Sequence, residues 1–301
     1  YYMLSQKKYD EIFKYYQKGI YNNIDTFVAF GDIHGDYSAF INVLRKANII
    51  DNNENWIGGK IHVIQMGDIL DRKSRFDFSS DEDSEFRIIG LILKLQIDSY
   101  LAGGGFHPII GNHELMNIMG IFDYVSPKGI SHFSNIEGRK KYFRIGGDFC
   151  KYLASGWNVV IKINKFLFCH GGINSEIANK YSIERINLIM RDTLYHKEIN
   201  MQKKEFDELF INERSILWSR NFSDNLEENN LLYSQLMLVL KKYKCEFMVL
   251  GHTPYFNGIK IKFNNHVICL DTGMSKAFGQ KNRENDRIHY LLFQNNKIKL
   301  F

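Results

Sequence analysis

The chain has 301 residues, of which 45% are apolar, and a formal net charge of +5. That apolar content suffices for a sizeable buried core and argues against disorder of the whole. The small charge, with no Lys/Arg block beyond pairs such as Lys241-Lys242, does not indicate a nucleic-acid surface, and no run of about 18 uncharged apolar residues marks a membrane span. No secretory signal is visible in the first twenty residues. The chain begins at Tyr1, however, so any upstream targeting segment and the localisation stay open. Cys150, Cys169, Cys245 and Cys269 lack C-x-x-C spacing, and three of them sit in or beside strand-like runs, so they are expected to be reduced.

Short apolar, β-branched runs bounded by Gly, Asn or Asp predict strands at 26–30, 60–66, 107–110, 158–169, 246–250, 258–270 and 288–300. Between the first two, Phe40, Val43, Leu44 and Ala47 share one face of an amphipathic helix over 38–47. Residues 73–84 read as a solvated polar insertion. The segment 85–97 is apolar nearly all round, as expected of a helix buried between layers. A largely helical excursion is expected over 174–243. Asn164-Lys165, Asn264-Asn265 and Asn295-Asn296 interrupt strand patterns with the residue type that tolerates positive φ, which predicts antiparallel hairpins in the later strands. With no repeat and no Pro/Gly-rich linker, the expectation is one α/β domain over 1–301, a mixed β-sandwich flanked by helices.

Each time the chain leaves a strand it presents metal-ligand residue types beside glycine: G-D-I-H-G-D at 31–36, G-D-I-L-D-R at 67–72, G-N-H-E at 111–114, C-H-G-G at 169–172 and G-H-T at 251–253. In α/β sheets ligands bind beyond the carboxyl ends of strands, so five such loops can converge on one point. Taken singly, each could be a hydrogen-bonding turn or a buried histidine; taken together they make coincidence a poor account. Asp32, His34, Asp68, Asn112, His170 and His252 supply mixed oxygen and nitrogen donors, which suit Mn, Fe or Zn better than Ca or Mg. Six donors exceed what one catalytic ion needs. Two divalent ions sharing Asp68, roughly 3.5 to 4 Å apart, would use them all and leave room for a bridging water.

At these residues the sequence resembles the metal-dependent phosphoprotein phosphatase family, whose signature is filled at every position. Y-V-S-P at 124–127, G-G-D-F-C-K-Y-L-A at 146–154, L-W-S-R at 217–220 and D-T-G-M at 271–274 resemble its Shewanella-like branch. The resemblance implies a calcineurin-like metallophosphoesterase fold. It implies that Asp32, His34 and Asp68 bind one ion and Asp68, Asn112, His170 and His252 the other, with manganese favoured and iron or zinc as alternatives. It implies further that His113 is the general acid, paired with Asp71, and that Arg72, Asn112 and Arg220 hold the phosphate.

The expected reaction is hydrolysis of phosphate monoesters on phosphoproteins by a hydroxide bridging the two ions. Phosphotyrosine or dual use is favoured over phosphoserine/threonine alone. The alternative is a nucleotide phosphohydrolase of the same superfamily, acting on diadenosine polyphosphates or another small molecule. Nuclease and phosphodiesterase branches are disfavoured because Thr253-Pro254, and no second histidine, follows His252. A cysteine-dependent tyrosine phosphatase needs Arg six residues after Cys, and those positions are Gly156, Ser175, Gly251 and Ser275. The oligomeric state is not legible.

Overall fold

The structure is a computed structural model that describes residues 4–75, 81–195, 203–224, 229–279 and 287–301. Helix α1 (Gln6–Tyr16), capped by the Ser5 side chain accepting from Lys8 N, precedes strands β1 (Ile20–Tyr21) and β2 (Thr26–Phe30). Then come α2 (Tyr37–Lys46), β3 (His62–Gln65), α3 (Glu85–Leu101), β4 (Gly105–Pro108), and the short helices α4 (Asn112–Ile118), α5 (Pro127–Ser131), α6 (Ile136–Phe143) and α7 (Asp148–Gly156). The hairpin β5 (Val160–Ile163) and β6 (Phe166–Cys169) leads into helices α8 (Ser175–Lys180), α9 (Ile183–Tyr195), α10 (Lys203–Phe206) and α11 (Asn230–Tyr243). Strands β7 (Phe247–Leu250), β8 (Lys260–Lys262), β9 (Val267–Cys269), β10 (Leu291–Gln294) and β11 (Lys297–Leu300) follow, with a π-helical turn at Asp207–Ile211 after α10 and a 3-10 turn at Lys276–Phe278 before β10. Among the described residues no helix is long and apolar enough to cross a membrane.

Two sheets face each other, one ordered β1-β5-β6-β7-β9-β8 and the other β11-β10-β2-β3-β4. The period of two along each strand explains how a single run serves two cores. Phe27, Ala29, Ile64, Phe166 and Phe168 point into the space between the sheets, while Val28, Phe30, Val63, Leu167 and Cys169 pack under the helices. Phe27 makes edge contacts with Phe166 and Phe168 at centroid distances of 4.9 and 5.6 Å, joining the two layers. With both faces buried, the strands read as nearly continuous apolar runs.

The asparagine turns form as the sequence predicts. Asn164 has φ 51°, Asn264 and Asn265 have 53° and 72°, and Asn295 and Asn296 have 53° and 57°. They close the antiparallel pairs β5–β6, β8–β9 and β10–β11. The antiparallel expectation fails beyond those hairpins: β6–β7 and β7–β9 run parallel, because the intervening chain crosses over before returning to the sheet. The strand expected at 107–110 lies at Gly105–Pro108, and α1 and the helices between 112 and 156 have no counterpart in the sequence reading. Residues 81–84, read as part of a solvated insertion, are anchored instead. Asp81 accepts from Lys128 N at 2.9 Å, Glu82 from Tyr37 N at 3.3 Å, Asp83 meets His132 at 2.8 Å, and Ser84 Oγ donates to Gly35 O at 2.7 Å. Residues 76–80 of that segment lie outside the described residues.

One buried pair is costly to protonate. His62 Nδ1 and His107 Nε2 lie 2.9 Å apart across β3 and β4, with rings stacked at 12° and the tyrosines Tyr15, Tyr16 and Tyr21 around His107. Burial lowers the His62 pKa to about 4 and holds His107 well below the ordinary imidazole value. Both folded-state values lie below those of the unfolded chain. Their contribution is therefore fully present above about pH 6.5 and is lost as pH falls toward 4, on the order of 1.4 kcal/mol per pH unit per histidine. The melting temperature of the protein should thus drop as pH falls from 6.5 to 4.5, and His107→Gln should flatten that drop. Identical pH slopes for the two proteins would contradict this.

Candidate active site

Strands β2, β3 and β4 run parallel in one sheet and β6 and β7 in the other, and the five loops singled out by sequence follow their carboxyl ends. Two glycines permit the close approach. A Cβ on Gly111 would lie 2.2 Å from Asp68 Oδ1, and one on Gly251 would lie 2.5 Å from Asp32 Oδ1. Four side-chain-bearing residues adopt left-handed backbone: His34 (φ 43°), Asp68 (53°), Asp71 (73°) and His252 (67°). Such conformations cost about 1 to 3 kcal/mol each and persist only where the surroundings enforce them.

Glu114 supplies much of that enforcement. Its buried carboxylate accepts from the backbone N–H of Asp68 (2.9 Å), Ile69 (2.8 Å), Leu70 (3.1 Å) and Gly111 (2.8 Å), pinning the 67–70 loop to the start of α4. The 31–36 loop is tied to the same segment, since Ile33 N and His34 N both donate to Asp68 O, at 3.0 and 2.8 Å. Sequence analysis gave Glu114 no role, although its place in G-N-H-E was in view.

Asp68 stands at the centre. His34, Asp68 and His113 present ligand atoms that all lie within 4.8 Å of one another, and so do Asp68, His170 and His252. Asn112 Oδ1 lies 2.8 Å from His170 Nε2, which is itself 3.2 Å from Asp68 Oδ2. Asp32 lies beside these groups and outside both triplets. Its Oδ2 accepts from His252 N at 3.0 Å, while its buried Oδ1 has no hydrogen-bond partner among the described residues.

Backbone carbonyls fix the imidazole tautomers. His170 Nδ1 lies 2.7 Å from Met66 O and His34 Nδ1 lies 3.3 Å from Leu70 O, so each Nδ1 carries the proton and each Nε2 offers a lone pair. His252 is reversed, with Nε2 3.2 Å from Trp218 O. Around His170 the consequence is three converging acceptors, Nε2, Asn112 Oδ1 and Asp68 Oδ2, an arrangement that calls for a cation. Burial disfavours the His170 imidazolium, but Asp68 outweighs it and raises the pKa above the ordinary imidazole value. Asp32 gives the same signal, raised well above the usual carboxylate range by burial and by the charges of Asp271 and Asp68. The donor set and the unpartnered Asp32 oxygen therefore fit divalent metal ions.

His113 Nδ1 meets Asp71 Oδ2 at 2.6 Å. Burial works against protonation of this ring, but Asp68 and Asp71 outweigh it and hold its pKa above the ordinary value. The guanidinium of Arg72 is buried, with Nη2 3.7 Å from Asp36 and Nε 3.5 Å from Glu82, while Nη1 and Nη2 have no hydrogen-bond partner among the described residues. Arg220 is exposed and its Nη1 donates to Thr253 Oγ1 at 3.2 Å, beside His252. All the predicted site residues thus lie in or beside one cluster.

Two further residues belong to the neighbourhood. Arg75 stacks over Tyr124 at 4.7 Å and Phe278 at 5.6 Å, and those rings pack on His113 (5.1 Å) and His34 (5.3 Å). No motif marks it. Asp271 is buried with Oδ2 lacking a hydrogen-bond partner among the described residues, and burial pushes its pKa up to about 6. It lies in the D-T-G-M segment, which carried a resemblance and no assigned role.

Residues 26–256 match the family described as calcineurin-like phosphoesterase. The chain is 32% identical to Shewanella-like protein phosphatase 1 of Plasmodium berghei over 99% of its own length and 79% of the relative's. It is 26% identical to Shewanella-like protein phosphatase 2 of Arabidopsis thaliana, over 84% of this chain and 72% of that one. Among solved structures, the cold-active protein-tyrosine phosphatase of a psychrophilic Shewanella superposes with a TM-score of 0.76 at 25% identity, covering 94% of this chain and 79% of that chain. With the fold, the loop order and these likenesses in agreement, the chain belongs to the calcineurin-like phosphoesterase family, in its Shewanella-like protein phosphatase branch.

Proposed function

We propose that the protein hydrolyses phosphate monoesters on phosphoproteins, phosphotyrosine and/or phosphoserine/threonine, at a centre holding two divalent ions, manganese favoured. Asp32, His34 and Asp68 would hold one ion, and Asp68, Asn112, His170 and His252 the other. The observation that carries the reading is the sharing of Asp68 between two triplets of ligand atoms, with the His113–Asp71 pair alongside. A tyrosine substrate is favoured because one similar solved structure is named a protein-tyrosine phosphatase.

A phosphate monoester repels an incoming nucleophile and parts reluctantly with an alkoxide. When bound, the ions would bring the pKa of a shared water toward neutrality and screen the phosphoryl charge. The protein's own groups do the rest. Asp71 accepts the Nδ1 proton of His113 and so fixes the ring with Nε2 free to protonate the departing oxygen. Arg72, whose terminal nitrogens have no hydrogen-bond partner among the described residues, has the planar fork that matches two phosphate oxygens. Asn112 and Arg220 would complete the phosphate site.

His113→Asn should lower kcat for an alkyl phosphate by about 100-fold or more with KM and metal content little changed, and should affect 4-nitrophenyl phosphate far less. Unchanged turnover of the alkyl ester would refute the assignment. Arg72→Lys should lower kcat/KM by about 10- to 100-fold on every substrate, since an ammonium cannot reproduce the fork. Wild-type kcat/KM in that variant would remove Arg72 from the phosphate site. Initial rates on matched phosphotyrosine and phosphothreonine peptides separate the substrate classes, and a clear threonine preference would overturn the tyrosine lean.

A further inference from the structure

The pairing of Asp71 with His113 raises the question of what holds Asp71, whose backbone is left-handed and whose carboxylate is fully buried. Its backbone N–H and both carboxylate oxygens are gripped. The backbone N–H donates to Glu85 Oε1 at 2.7 Å, Oδ1 accepts from Asn117 Nδ2 at 2.7 Å, and Oδ2 faces His113. Both grips lead to one residue outside every catalytic motif. Arg139 on α6, itself fully buried, donates from Nε to Asn117 Oδ1 at 2.8 Å and from Nη1 to Glu85 Oε2 at 2.7 Å and Gly129 O at 2.9 Å. Its Nη2 lies 3.8 Å from Asp71 Oδ1, and the rings of Phe143, Phe133 and Phe122 enclose the guanidinium at 4.6, 5.6 and 5.8 Å.

We propose that Arg139 is a positioning residue for proton transfer: by fixing Glu85 and Asn117 it locks the Asp71 carboxylate, and through it the His113 ring. The proposal rests on the reading of His113 as the acid. An arginine can only donate, so the Asn117 amide must turn its oxygen toward Arg139 and its NH2 toward Asp71. With Arg139 gone, the amide is free to flip and present oxygen to a carboxylate, and Glu85 loses its cationic partner. The same NH2 also donates to His113 O at 2.9 Å, so backbone and ring of His113 are held from one point. The hydrogen bonds between Asp71 and Glu85, Glu85 and Arg139, Arg139 and Asn117, and Asn117 and Asp71 close a circuit.

The test uses the full chain loaded with Mn2+ and compares Arg139→Lys, which keeps a buried cation and loses the fork, with His113→Asn. The substrates are an alkyl phosphate and 4-nitrophenyl phosphate. Arg139→Lys should lower kcat on the alkyl ester by about tenfold or more with KM unchanged, and leave the aryl ester within about threefold. A purely structural role would reduce both substrates by one common factor, because it only removes folded enzyme. Should Arg139→Lys not fold, Asn117→Ala interrupts the same circuit and carries the same expectation. Equal losses on both substrates, or none, while His113→Asn does discriminate between them, would overturn the role of Arg139 alone. Absence of discrimination in His113→Asn would overturn the acid assignment and this proposal with it.

Discussion

A single buried carboxylate organises this molecule. Asp68 lies within reach of histidines from four loops, and its own position is set by the Glu114 carboxylate, which collects four backbone N–H groups from two loops. Burying so many acidic groups together is unfavourable unless positive charge joins them. Asp32, Asp68, Asp271 and Glu114 are all buried, and burial together with their mutual repulsion raises the pKa of Asp32. The sandwich is the frame that holds this repulsion in place.

The same cluster carries backbone strain. Four residues of the cluster, His34, Asp68, Asp71 and His252, occupy left-handed conformations that their side chains do not favour. The compensation is distributed: Phe27 against Phe166 and Phe168 between the sheets, the carbonyls of Met66, Leu70 and Trp218 on the histidines, and the Glu114 and Arg139 circuits on the carboxylates. Rigid strands bring the loops together, and side-chain hydrogen bonds then fix each donor. The candidate site lies at strand ends because parallel pairing across β2, β3, β4 and across β6, β7 makes those ends coincide.

Much of this was legible in the residues. The five glycine-flanked loops carried their ligand types openly, and the turn asparagines at 164, 264–265 and 295–296 announced three hairpins, because both are short-range patterns. What escaped is long-range. Arg139 meets Glu85 across 54 positions and Glu114 meets Asp68 across 46, and nothing in the local sequence of either partner records the contact. Arg75 was lost in a segment that looked like polar filler. The parallel β6–β7 and β7–β9 pairings were missed for a related reason: turn residues report only on strands joined by a turn, never on strands joined by a crossover.

The claim beneath the rest, that Asp68 is shared by two cations, is most directly tested by titrating metal-free protein with Mn2+ and following the electron paramagnetic resonance spectrum. The account predicts two ions per chain with an exchange-coupled signal, lost in Asp68→Asn. One ion per chain with an isolated six-line spectrum at every loading, or no tight binding at all, would contradict it.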